Sequence, residues 1–158
     1  FEKRRRPNLR KFLNFYSLGI VASIVLYIAC LFLPAFRPMT NGSPGQIYTG
    51  LLALALGPLG FIALNFSWLA NVCLWFGWSK IIRQRQEAAI AWCLGALAFA
   101  LSFLLYPKIP VGSSGAFAFE VMIGYEVWIA SIAFALISSM AIPRATTRMQ
   151  DAEVSSQG

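Results

Sequence analysis

No charged side chain interrupts IYTGLLALALGPLGFIALNFSWLANVCLWFGWS, residues 47–79. As one α-helix rising 1.5 Å per residue, this run would be roughly 50 Å long, against a hydrocarbon core of about 30 Å. A run so apolar suits lipid, yet it is too long for one crossing and must break or tilt. Gly57-Pro58 supplies the break, because proline lacks the amide hydrogen and crowds the preceding turn. We therefore expect a spanning helix over about 58–80, with the second helix long and broken or kinked at Gly57-Pro58. Tyr48–Leu56 is then an outer half-turn, an interfacial piece, or the kinked extension of one tilted helix.

Three further runs repeat the pattern at about 17–36, 88–106 and 124–142, and only the last carries a charge, Glu126. Each is close to the 20 residues a spanning helix needs. The first is too long for the apolar region of a signal peptide and is read as a span. Composition agrees: 58% of the chain is apolar and 12% charged, where a globular domain has about 45–50% and about 25%. The expected fold is all-α and membrane-embedded. Four transmembrane helices form a single domain over 1–149, followed by a disordered polar tail over 150–158.

Orientation follows from the basic residues that flank the runs. The N-terminal segment holds Lys3, Arg4, Arg5, Arg6, Arg10 and Lys11. The connection after the second run holds Lys80, Arg83 and Arg85, and the C-terminal segment Arg144 and Arg148. Eleven basic residues thus fall on one side, against Arg37 and Lys108 on the other. Both termini are expected to be cytoplasmic, with outer loops at about 37–47 and 107–123. The same asymmetry accounts for the net charge of +7 through headgroup attraction and topology, so no nucleic-acid partner is implied.

Polar groups inside apolar runs are the first places to look for function. Asn65, Trp68, Asn71, Trp75 and Trp78 recur at helical spacing and would share one face of the second helix. Amides facing lipid would leave hydrogen bonds unmet, so Asn65, Ser67 and Asn71 are expected to point inward. They either bond between helices or line a polar cavity or a protomer contact. Glu126 either sits at headgroup level, hydrated or paired with Arg37 or Lys108, or serves as an ion or proton ligand in an outer vestibule. Ser131, Ala135 and Ser139 step by four along the fourth run, as do Ala91 and Gly95 on the third, and small residues so spaced let helices approach closely.

Catalysis finds little support. Histidine is absent, which removes His-ligated haem, Ser-His triads and most zinc sites. Cys30, Cys73 and Cys93 form no CxxC pair and read as small hydrophobes in helix packing. There is no GxSxG and no glycine-rich phosphate loop. An enzyme acting on outer-leaflet lipid would have to use Glu120 and Glu126. We expect no enzyme, no cofactor and no metal.

The strings LFLPAF (31–36), FSWLANVCLW (66–75) and GYEVWIAS (124–131) are similar to those of small uncharacterised bacterial inner-membrane proteins with four helices. The resemblance covers most of the chain through short motifs. It implies a multi-pass protein of the bacterial inner membrane and brings no activity with it. Glu126 stands where the resemblance implies an aromatic or neutral residue. Immunity proteins against pore-forming toxins and small subunits of anti-phage systems share the outline. Small four-helix multidrug exporters place a carboxylate in mid-first-helix, which this chain lacks. The leading expectation is a non-enzymatic protein that binds another membrane protein, as a complex subunit or an immunity or defence partner. The alternative is an oligomeric channel or small transporter built by self-association around Asn65, Asn71 and Glu126.

Overall fold

The computed structural model describes residues 9–40, 43–63, 65–105, 108–110 and 116–142. Lys3, Arg4, Arg5, Arg6, Arg144 and Arg148, on which much of the expected orientation rests, lie outside these residues, as does the expected tail over 150–158.

Helix α1 (Leu9–Phe32) stops one residue short of the Leu33-Pro34 step, where proline disfavours helical backbone in the residue before it. Strands β1 (Pro34–Thr40), β2 (Ser43–Pro44) and β3 (Tyr48–Thr49) follow. Next come α2 (Gly50–Leu56), a 3₁₀ segment at Gly57–Ala63, and α3 (Leu69–Ile82). Helix α4 (Gln86–Ser102) runs into a 3₁₀ turn at Phe103–Leu105. Strands β4 (Lys108–Pro110) and β5 (Ala116–Val121) lead into α5 (Ile123–Met140).

The all-α expectation is corrected here, because the two expected outer loops zip into one antiparallel sheet of order β2-β1-β5-β4, with β3 also on β1. The central pairing sets Phe36 opposite Val121, Arg37 opposite Glu120 and Pro38 opposite Phe119. Strand side chains alternate between faces, so Phe36 and Phe119 share one face while Arg37 and Glu120 share the other. On the first face the Phe36 and Phe119 rings meet edge to face at 5.6 Å. On the second, the Arg37 guanidinium holds Glu120 through Nε at 3.0 Å and through Nη2.

The second run also differs from expectation. Gly57-Pro58 does mark where α2 gives way to 3₁₀ backbone, but no helix extends from 58 to 80. The chain reverses between Gly60 and Asn65, whose N–H donates to the Gly60 carbonyl at 2.9 Å. Asn65 then accepts the Ser67 N–H on its side-chain oxygen at 3.0 Å, a local bond that competes with helix formation. The Trp68 indole N–H reaches back to the Leu54 carbonyl at 3.0 Å. The described residues of 54–68 therefore form a folded-back excursion, and α3 starts only at Leu69. Its 14 residues rise about 21 Å.

Among the described residues, two helical segments, Gln86–Leu105 and Ile123–Met140, are long and apolar enough to cross a membrane. Ser17–Phe32, Gly50–Gly60 and Leu69–Ile82 are shorter apolar helices by the same measure.

Helix α5 packs against α1 and α4, and α3 against α4. Small side chains make up much of the interior, beside the fully buried Leu74, Ile81 and Ile132. Ser131, Ala135 and Ser139 on α5 are fully buried, as their spacing predicts. On α4 the packing face is instead Ala89, Cys93, Ala96 and Ala100, all fully buried, while Ala91 is exposed and Gly95 only part-buried. The three cysteines are free thiols buried among the helices. Many large side chains point the other way: Leu18, Val21, Val25, Ile28 and Phe32 form an exposed stripe along α1, matched by Phe76, Leu101 and Ile137 on the other helices.

Candidate functional site

Beneath the aromatic face of the sheet lies a cavity of about 230 Å³. Its walls come from α1 (Tyr27, Cys30), the sheet (Phe36, Phe119), α2 with its excursion (Ala53, Leu54, Gly57), α3 (Asn71) and α5 (Tyr125, Trp128). Gly57 has a steric reason to be glycine: a Cβ there would overlap the Trp68 ring. The Trp68 ring fills that space and its N–H ties the excursion shut.

Asn71 forms the floor of the cavity. It is 7% exposed, and both of its side-chain polar atoms are bonded. Its Oδ1 accepts from the Tyr27 hydroxyl at 3.2 Å and from the Trp128 indole at 3.1 Å, and its Nδ2 donates to the Trp68 carbonyl at 3.2 Å. An indole N–H can only donate, so the amide orientation follows from the Trp128 contact. One side chain on α3 thereby joins α1 and α5. Below it, Ser23 and Ser131 each donate to the other's carbonyl, at 2.8 and 2.9 Å, and Trp78 donates to the Ser23 hydroxyl at 2.9 Å. Tyr27 caps this lower set edge to face against Trp78 at 5.3 Å.

Four of the five residues singled out from sequence meet at the cavity: Asn65, Ser67, Trp68 and Asn71 all line it. They do not share a helix face, since Asn65 and Ser67 precede α3. Glu126 does not join them. It lies exposed in the first turn of α5, in line with the hydrated alternative, and Arg37 pairs with Glu120. Trp75, expected on the polar face, is 42% exposed.

Tyr27, Tyr125, Trp128, Phe36, Phe103 and Phe119 complete the site and were not anticipated. Tyr125 and Trp128 are three apart, so their shared face of α5 was readable from spacing. Tyr125 donates its hydroxyl to the Ala100 carbonyl at 2.7 Å. Phe36 and Phe119 had no local signal, because their meeting depends on the register of β1 on β5. Among the described residues, no three Cys, Asp or Glu side chains gather as a metal ion would need.

The site can hold something apolar, and it offers no paired acid and base for chemistry on it. No known protein family, curated protein or solved structure matches this chain.

Proposed function

We propose that this chain is a non-enzymatic, multi-pass protein of the bacterial inner membrane that acts by binding a partner within the bilayer, as a complex subunit or an immunity-type protein. Four crossings are assigned to α1, to α3 with the turn before it, to α4 and to α5, with both ends in the cytoplasm. The observation that carries this is the inverted distribution of side chains. Only 22% of the most apolar window in Gln86–Leu105, and 39% of that in Ile123–Met140, is buried inside the protein. The core helix of a soluble protein would be mostly covered. Small and polar side chains make up much of the interior, and many large hydrophobes face out, as lipid favours.

Binding is preferred to conduction because the interior is filled. Below the cavity the Asn71 and Ser23–Ser131 bonds are closed within the chain, and Leu74 and Ile132 are fully buried. Asn71 has both side-chain polar atoms bonded inside one protomer, and the Asn65 side-chain oxygen accepts from Ser67.

Two experiments test the reading. Gln46→Cys and Arg83→Cys, both at exposed positions, should label with a membrane-impermeant maleimide in opposite ways: Gln46→Cys in intact spheroplasts, Arg83→Cys only after lysis. Labelling of both from outside would overturn the topology. Affinity purification in mild detergent from the native host should recover a membrane protein at stoichiometric level, and recovery of this chain alone would count against the partner.

A further inference from the structure

We propose that the cavity beneath the sheet holds one acyl chain of a membrane phospholipid, an assignment that rests on the reading of this chain as membrane-spanning. Size sets the first limit. At about 230 Å³ the cavity exceeds the ~150 Å³ apolar cavity that accepts benzene. That is room enough for a slender hydrocarbon chain.

Chemistry sets the second. Most polar side-chain groups on the walls are engaged: Asn71 with Tyr27, Trp128 and Trp68, the Trp68 indole with Leu54, and the Tyr125 hydroxyl with Ala100. The Ser67 hydroxyl and the Asn65 amide nitrogen are the other polar side-chain groups on the lining, and among the described residues no fully buried side-chain nitrogen or oxygen lacks a partner. A sugar, an amino acid or an ion would shed most of its hydration here with few groups to replace it. A hydrocarbon chain has no such hydrogen bonds to lose, and it gains contact with Phe36, Phe119 and Trp128.

The excursion that walls the cavity indicates the source. No residue of α2 is buried. Leu51, Leu52 and Leu59 are exposed, while Ala53, Gly57 and Gly60 line the cavity. This flap is thus apolar on its outer surface and on its inner one. Its anchors include the Gly50 N–H on the Leu33 carbonyl at 3.0 Å and the Trp68 indole on Leu54. A wall of this kind separates the cavity from acyl chains and not from water, so its contents come from the leaflet.

The test uses the purified full chain in nanodiscs of phosphatidylethanolamine and phosphatidylglycerol, with trace phosphatidylcholine carrying a diazirine on one acyl chain. After irradiation, adducts are mapped by mass spectrometry. We expect adducts on Leu54, Trp68 or Tyr125 in addition to outward side chains such as Leu101 and Phe134. Ala53→Trp, which fills the cavity, should cut the inner adducts at least fivefold and leave the outer ones. Leu51→Trp, on the outer side of the same flap, should change neither. Adducts confined to outer side chains in the wild-type protein overturn the proposal, whether or not Ala53→Trp folds. So do inner adducts that persist in a folded Ala53→Trp, or that belong to a co-purified polypeptide. Failure here with correct maleimide labelling removes the acyl chain alone, while failed labelling removes the membrane topology beneath it.

Discussion

Replacing Asn71 by leucine isolates what holds three helices at one point. The two side chains share heavy-atom count and branching, leucine being the bulkier, so no cavity is opened. What is lost is the acceptor shared by Tyr27 and Trp128, at 3.2 and 3.1 Å, and the donor to the Trp68 carbonyl. Interhelical hydrogen bonds in membrane bundles are worth about 0.6–1.7 kcal/mol each, and a buried donor left unmet costs about 1–3 kcal/mol. With two inter-helix bonds removed together and their donors stranded, Asn71→Leu should destabilise by about 2–3 kcal/mol. The assay is reversible unfolding by SDS titration in dodecylmaltoside micelles, followed by tryptophan fluorescence. A double-mutant cycle sharpens it: with Trp128→Phe already present, one of the stranded donors is gone, so Asn71→Leu should cost about 1 kcal/mol less. Phe76→Leu, at an exposed position, serves as the control and should stay within about 0.5 kcal/mol. If Asn71→Leu matches that control, or if the two substitutions are strictly additive, the network does not hold the helices as described.

Three further outcomes are expected. Gly57→Ala should displace the Trp68 ring that occupies the Cβ position, giving faster limited proteolysis within 54–68 and a shifted tryptophan emission; an unchanged cleavage pattern would contradict the packing. Ser131→Leu should cost about 3 kcal/mol or more by SDS titration, since it overpacks a fully buried site and removes the reciprocal bonds to Ser23; a cost below about 1 kcal/mol would show that α1 and α5 do not meet there. Glu120→Gln should lower stability by no more than about 1 kcal/mol, because the Arg37–Glu120 pair is part-exposed, with side-chain exposures of 27% and 49%; a larger loss would mean that the sheet depends on this pair.

The sequence alone determined where the helices lie, within a few residues, for α4, α5 and the C-terminal end of α1, whose first turn at Leu9 lies well before the expected start at Ser17. Helical hydrogen bonds are local, four residues apart, so a long uncharged run bounded by proline or basic residues is enough to place one. It also determined that Asn71 and the Ser131–Ala135–Ser139 stripe face inward, because amides and small residues have a physical reason to avoid lipid or to invite another backbone. Only the tertiary structure decided the rest. The β1–β5 register joins Arg37 to Glu120 across 83 residues, and a strand of six or seven residues carries no local mark of its distant partner. The third helix packs through Ala89 and Cys93 and not through Ala91, since in a helix apolar on every side no periodic contrast separates the inner face from the outer. The excursion over 54–68 was hidden for a related reason: its reversal is held by Asn65 and by the Trp68 indole on Leu54, contacts that become visible only once the chain has turned. The amide pair that stood out in residues 47–79 was therefore read correctly as inward-facing. Its partners, and the cavity they close, were decided by long-range pairing.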